Sequence, residues 1–331
     1  MGKRPTAKEV AEAAGVSKWT VIRAFTPGAS IAEKSRAKVM EVARELNYSP
    51  NLLARSLATN LTHQVAAFVD DFGNPHKLPM IAALTEIMQS EELVVSIINI
   101  NNHFDHIHAL LSADQRQFDA VLLCGTAFRD EMLTDARLGP GTPPMFVLAR
   151  DSQIDGVPAI TCDADVAMAE ICSYLAMKPY RRPGFMAGPQ TLSTALGRRR
   201  LFRDFWLGRG IPSVQDLSAE TYSQAEGAAI MRTHLEQVPA DQRVDLVMCE
   251  NDILALGAVD AIRYQFGLRV PEDIAVVGFD NVDLASSPAY ELTTYEQPLR
   301  LMVRKAADMI LGRIEKATIQ LPGRLVTRKT A

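Results

Sequence analysis

Lys18, Trp19 and Arg23 fall on one side of a short helical segment opened by Ser17, and their chemistry is that of base-edge recognition. A lysine or arginine can donate to guanine O6 and N7, and an indole can lie against a thymine methyl or a sugar edge. The surrounding residues supply the elements that would hold them. Thr6 and Glu9 form an S/T-x-x-E capping box, which predicts a helix from about Ala7. Val10 and Ala14 fall four apart on its inner face, and Gly15 ends it. Ser17 caps a second helix with Val21 and Phe25 facing inward, which leaves Lys18, Trp19, Ile22 and Arg23 outward. A third helix over roughly 32–46 offers Val39, Val42, Ala43 and Leu46 to a three-helix core, with Tyr48 packed beneath. This is the layout of a helix-turn-helix, in which the N-terminal residues of the second helix reach the major groove. In an isolated helical hairpin the same charges would read as solvated surface.

Charge separates this head from the rest. Residues 1–60 carry ten lysines and arginines against five glutamates, a balance of +5, so the remainder carries −9 of the overall −4. A basic head on an acidic body is the footprint of a chain that meets phosphate at one end. Cys124, Cys162, Cys172 and Cys249 form no C-x-x-C pair and sit mostly in apolar runs, which reads as buried thiols. No stretch approaches 18 uninterrupted apolar residues and no export signal is visible, so a soluble cytoplasmic protein without membrane contact is expected.

The run Glu9-Val-Ala-Glu-Ala-Ala-Gly-Val-Ser17, then Thr20-Val-x-Arg23, Ile31-Ala-Glu-Lys-Ser-Arg36, Asn47-Tyr-Ser-Pro-Asn51 and Ala54-Arg-Ser-Leu57, resembles the LacI family of bacterial transcription regulators. Head and hinge are similar to the purine repressor branch in particular. The resemblance implies DNA contacts from Thr6, Ser17, Lys18, Trp19, Thr20, Arg23, Asn51, Ala54, Arg55 and Leu57, on a palindromic double-stranded operator. Leu57 would be the wedge entering the minor groove at the operator centre. Residues 50–60 are too few for an independent helix, so they are expected to fold only against a partner's hinge on DNA. The wedge would then kink the duplex at a cost of a few kcal/mol. Ile22 stands where the family usually has a small hydroxyl residue, and Trp19 is bulky for its position, so the operator sequence does not transfer from relatives.

Beyond the hinge, apolar strands alternate with helical segments: 65–69, 94–100, 120–124, 145–148, 185–187, 246–249 and 274–278. This pattern predicts an α/β body of two doubly wound parallel-sheet subdomains, with ligand sites at the carboxyl ends of the strands. The expected division is a helix-turn-helix head over 1–48, a hinge over 49–61 and an effector-binding and dimerisation body over 62–331. Within the body, one subdomain takes about 62–160 and 291–320, and the other about 161–290 and 321–331. The resemblance implies the periplasmic-binding-protein fold and a cleft holding a small effector. Gly188-Pro with Arg198, Phe202 and Gly210-Ile-Pro matches one family run, although Leu201 replaces its glycine. Asn251-Asp-Ile-Leu-Ala-Leu-Gly257 and Val277-Gly-Phe-Asp280 match two others. Carried over residue by residue, the effector contacts are Asp71, His76, Lys77, Arg150, Asp163, Arg198, Tyr222, Asn251 and Asp280. The alternative for Asn251 and Asp280 is that they are helix and turn caps only, and ligand contact is the favoured reading. His76 and Lys77 replace the family's usual aromatic pair, which with Arg150 and Arg198 suggests an anionic ligand, a sugar acid or sugar phosphate.

No catalytic constellation, cofactor motif or H-E-x-x-H is present, and an enzyme is not expected. His103, His106 and His108 invite a metal reading, but their surface spacing favours adventitious binding, so no metal or cofactor is assigned. The sequence therefore reads as a homodimeric repressor of carbohydrate uptake or catabolism genes, switched by a small sugar or sugar acid. Dimerisation is expected along Ile81, Leu84 and Met88, and no leucine heptad follows the terminal segment to build a tetramer. The alternatives are a stand-alone carbohydrate-binding protein and a regulator switched by a protein partner.

Overall fold

A computed structural model describes residues 5–26, 29–49, 61–100, 118–126, 142–152, 154–189 and 197–331. The hinge residues Asn51, Ala54, Arg55 and Leu57, and the histidines His103, His106 and His108, lie outside the described residues. The chain divides into two compact units, Met1–His63 and Gln64–Ala331.

In the head, α1 (Ala7–Ala14) starts with both halves of the capping box: Glu9 N–H donates to Thr6 Oγ1, and the Thr6 N–H donates to Glu9 Oε2 at 2.6 Å. Gly15 closes it at φ 63°. Ser17 caps α2 (Lys18–Ala24), accepting from Thr20 N–H at 3.1 Å, and α3 (Glu33–Glu45) completes the bundle. Val10, Ala14, Val21, Val39 and Ala43 form the buried core, and the Tyr48 ring meets Phe25 edge-on at 5.6 Å. Leu46 was expected in that stripe but is 39 % exposed, because it is the residue that ends α3 and the chain turns there. Arg36 has a role the charge count conceals. It donates to Ala24 O at 2.7 Å and to Ala29 O at 3.0 Å, pinning the end of α2 to α3.

The body carries two parallel sheets. The first has six strands: β1 (Gln64–Val69), β2 (Val94–Asn99), β3 (Ala120–Cys124), β4 (Met145–Leu148), β5 (Ala159–Cys162) and β11 (Ile319–Leu321), in the order β11-β5-β4-β3-β1-β2. The second has four: β6 (Pro183–Ala187), β7 (Gln215–Ser218), β8 (Leu246–Cys249) and β9 (Ala275–Val277), in the order β7-β6-β8-β9. A third, two-stranded sheet pairs β10 (Thr294–Glu296) antiparallel with β12 (Arg324–Val326). The strands β1, β3, β4, β6, β8 and β9 are almost wholly buried, as parallel strands covered on both faces must be. All four cysteines are buried and free.

Three crossings connect the halves, and they correct the expected boundaries. A border at 160/161 would cut β5, which is a full member of the first sheet. A border at 320/321 would cut β11, where Leu321 still pairs with Cys162. Residues from 291 were placed with the first half, yet Leu292 and Tyr295 pack in the cores of the second, and Thr293 bridges Val277. The chain returns only at α9 (Leu299–Ile310), which packs on the first sheet beside α4 (Lys77–Ser90).

Helix α4 also corrects the basis for a partner face. Leu84 and Met88 are fully buried in their own subdomain, and Ile81 packs partly against the same core. The large apolar side chain α4 turns outward is Leu78, 72 % exposed, with Leu301 of α9 also exposed. The apolar stripe was real, but the sheet beneath consumes it.

Candidate effector pocket and DNA-reading head

Both parallel sheets point their carboxyl ends at one cavity of about 70 Å³. From the first sheet come Asp71 after β1, Gly125 and Thr126 after β3, and Arg150 after β4. From the second come Glu250 and Asn251 after β8, and Asp280 after β9. These loops flank the points where strand order reverses, the places where open α/β sheets bind ligands. Asp71, Ala149 and Asp280 hold φ angles of 48°, 63° and 123°, conformations that non-glycine residues adopt only when the surroundings impose them. The backbone at the pocket is strained to aim these residues.

Eight of the nine expected effector contacts line the cavity: Asp71, His76, Lys77, Arg150, Arg198, Tyr222, Asn251 and Asp280. Asp163 does not. It caps the helix α5 (Ala164–Leu175), its Oδ1 accepting from Val166 N–H at 3.0 Å, so its family position is occupied but its carboxylate is spent locally. Asn251 is both things proposed for it. Its Oδ1 caps α8 (Asp252–Asp260) by accepting from Leu254 N–H at 3.2 Å, while its residue lines the cavity.

The cations are less available than their positions suggested. Lys77 Nζ pairs with Asp70 Oδ1 at 2.8 Å and donates to Cys124 O at 3.3 Å. Burial, reinforced by Lys77 and Arg198, pushes the His76 pKa down to about 3, so the imidazole is neutral at physiological pH. Arg150 donates through Nε to Gly125 O at 2.7 Å and through Nη1 to Asp151 O at 2.8 Å. Arg198 begins the helix α6 (Arg198–Gly208), donates to Glu250 O at 2.6 Å, and lays its guanidinium over Phe279 at 3.8 Å. The premise for an anionic ligand, that Lys77 and His76 add free positive charge, does not hold in this geometry.

Glu250, Gln297 and Asn74 line the cavity without having been expected there. Glu250 directly precedes the Asn251 motif, so a spacing-based reading passes over it; an acid closing the apolar run of β8 was the available signal. Its Oε2 accepts from Gly188 N–H at 2.5 Å and from the Tyr222 hydroxyl at 3.1 Å. Gly188 must be glycine here, because a Cβ would lie 2.1 Å from the Tyr222 ring. Gln297 donates to Asp280 Oδ1 at 2.7 Å, and His76 Nδ1 lies 3.5 Å from the same oxygen.

Behind the pocket, Asp252 accepts from the Thr294 hydroxyl at 2.5 Å and from Val282 N–H at 2.8 Å. Burial, with the Asp280 charge second, pushes its pKa up to about 7, and burial takes Asp280 to about 6. A carboxyl whose folded pKa is raised contributes stability when protonated and loses it as pH rises through that value. Asp252 and Asp280 are therefore expected to add about 1 kcal/mol between pH 8 and pH 6.5, mostly from Asp252. Neutral His76 takes back about 0.4 kcal/mol of this, because the unfolded chain is half protonated there at pH 6.5. Below pH 6.5 that His76 loss grows. Urea titrations across pH 6.5–8 measure this, with Asp252→Asn flattening the slope. An unchanged slope in that variant would contradict the assignment.

In the head, Lys18, Trp19 and Arg23 are exposed on the outer side of α2, Trp19 at 72 %. Ser17, Thr20 and Thr6 use their hydroxyls in caps, Ser17 Oγ lying 2.9 Å from Thr20 Oγ1. A capped helix-turn-helix head, joined in one chain to a body whose two parallel sheets converge on a polar cavity, defines a ligand-binding transcription regulator. Residues 6–51 match the bacterial regulatory proteins of the lacI family, and residues 172–331 match the periplasmic binding protein-like domain. The HTH-type transcriptional repressor PurR of Proteus mirabilis (strain HI4320) is 30% identical over 343 residues, spanning 98% of this chain and 96% of that protein. PurR of Yersinia pestis bv. Antiqua (strain Antiqua) is likewise 30% identical over 335 residues, with the same coverage. Among solved structures, the lac repressor dimer bound to operator and the anti-inducer ONPF superposes with a TM-score of 0.82 at 24% identity, covering 99% of each chain. A CelR–cellobiose complex gives 0.71 at 25% identity, covering 99% of this chain and 100% of that one. The chain belongs to the lacI family of bacterial regulatory proteins: it is a ligand-responsive, DNA-binding transcriptional repressor and not an enzyme.

Proposed function

We propose that the protein is a cytoplasmic homodimer that represses carbohydrate uptake or catabolism genes from a palindromic operator, and that a small sugar-type molecule in the body cavity sets its affinity for DNA. The observation that carries the effector reading is the mixture of carboxylates, an amide and guanidinium groups at the strand ends, where Asp280, Asn251 and Arg198 offer both acceptors and donors to hydroxyls. Tyr222 is the one phenylalanine, tyrosine or tryptophan side chain lining the cavity among the described residues, so hydrogen-bonding groups outnumber large aromatic walls there. That favours a polyhydroxylated ring. The CelR structure holds cellobiose, and an Enterococcus faecium relative of the same fold holds ribose.

On the DNA side, Lys18, Trp19 and Arg23 are proposed to read base edges, with Thr6, Ser17 and Thr20 at the backbone and Asn51, Ala54, Arg55 and Leu57 in the minor groove. Two heads neutralising about six phosphates would give a log–log salt slope of about −5. Sedimentation with a palindromic operator is expected to show two chains per duplex. Leu57→Ala is expected to reduce specific binding while sparing non-specific binding, because only the specific complex is kinked. Equal losses on operator and random DNA would remove the wedge. For the effector, a thermal-shift screen is decisive, since a ligand at about 100 times its dissociation constant adds about 2.7 kcal/mol of stability.

A further inference from the structure

The two halves of the cavity hold unequal charge. Among the described residues, Lys77, Arg150 and Arg198 face Asp70, Asp71, Glu250 and Asp280, which leaves one carboxylate in excess even before Asp151, beside Arg150 and Arg198, is counted. Lys77 is already satisfied by Asp70. Arg198 then stands between two carboxylates, since its charge acts on both Glu250 and Asp280. Glu250 supplies the extra charge, and it is 94 % buried by its 6 % exposure. Both of its hydrogen bonds converge on Oε2, so Oε1 accepts from no described residue while the side chain lines the cavity. Asp280 shows the same asymmetry: Gln297 and His76 both address Oδ1, leaving Oδ2 without a described donor. Beside Glu250 the Tyr222 side chain is held, its hydroxyl tied to Oε2 and the hydroxyl end of its ring close against Gly188.

Among the described residues only Trp206 Nε1 and Tyr295 Oη are both sealed from solvent and unpartnered, so Glu250 Oε1 opens on the cavity, where a donor on a ligand would take the place of water. An aromatic ring next to that oxygen adds attraction for a cation. The donors that remain open, Asn251 Nδ2 and the further N–H groups of Arg198, suit hydroxyl oxygens elsewhere on the same ligand.

We propose that the effector is a small polyhydroxylated amine, an amino sugar, whose ammonium group donates to Glu250 Oε1 against the Tyr222 ring. This rests on the sugar-type reading of the cavity and reverses the sign expected from His76 and Lys77. Burial raises the Glu250 pKa, as for a carboxylate waiting for a cation. Glu250 is then a specificity-determining residue: it selects the amine and rejects acids.

The test is calorimetry at pH 7 on the full chain with D-glucosamine, D-galactosamine and D-mannosamine, their neutral parent hexoses, and D-glucuronate and D-galacturonate. At least one amine is expected to bind about 10- to 150-fold more tightly than its parent, the span of a charge-assisted hydrogen bond, with no heat from the acids. Glu250→Gln keeps an acceptor for Gly188 and Tyr222, and it is expected to erase that preference without lowering the melting temperature of the unliganded chain. A parent hexose or a uronate binding as well as the amine would overturn the ammonium assignment and leave the sugar-type reading in place. Unchanged amine preference in Glu250→Gln would also overturn it. Silence from all eight sugars would overturn both. If Glu250→Gln fails to fold, Tyr222→Leu provides the second variant, expected to lower amine affinity more than parent affinity.

Discussion

Asp280→Asn is expected to weaken effector binding by about 100-fold, within the range for losing a buried charge-assisted hydrogen bond and its coupling to neighbours. The free repressor should keep its operator affinity, because the head builds its core and its base-reading helix from its own residues. Stability should not fall. Burial pushes the Asp280 carboxyl up to about 6, so at pH 7–8 the free protein holds an ionised group in an unfavourable place, and an amide there removes that cost. The amide can still accept from Gln297, whose Nε2 lies 2.7 Å from Oδ1. Calorimetry on the effector and fluorescence titration of the operator separate these outcomes. A variant that binds effector normally would take Asp280 out of the site, and one that melts early would make it a structural residue.

Arg36→Ala is expected to weaken operator binding by destabilising the head. The core there is a handful of small residues, Val10, Ala11, Ala14, Val21, Ala24, Val39 and Ala43, and a unit of this size holds only about 2–7 kcal/mol. Arg36 carries two hydrogen bonds from a charged donor to Ala24 O and Ala29 O. Allowing for its partial exposure, their loss costs about 2 kcal/mol, a large share of that stability. Calorimetric melting of the full chain should show a lowered head transition with the body unchanged, and operator affinity should fall with it. A head that melts normally while the salt slope drops by about 1 would instead make Arg36 a phosphate contact.

Much of this was legible before any coordinates. Thr6, Glu9, Gly15 and Ser17 act on neighbours three or four residues away, so their spacing alone foretells the caps that are found. The strands β1, β3, β4, β8 and β9 are largely continuous apolar runs, and the site residues follow at their carboxyl ends. The strands β5, β7, β10, β11 and β12 were not legible, since each mixes polar residues into three or four positions and several pair with partners far away in sequence. Leu84 and Met88 fit an outward stripe and an inward one equally, and only the sheet under α4 decided between them.

By itself the sequence determined that a basic, capped helix-turn-helix precedes an acidic body of alternating strands and helices, and which positions follow each strand. Those properties depend on propensity, periodicity and local hydrogen bonds. Tertiary structure decided what each charge at the cavity is worth. Lys77 proved to be spent on Asp70, Asp163 on a helix end, and His76 to be neutral, while Glu250 emerged as a buried acceptor. Electrostatic character is set by burial and by the nearest partner. Asp163 finds its partner three residues along its own helix, whereas Glu250 takes Gly188 and Tyr222 from other strand ends, which no local reading could have supplied.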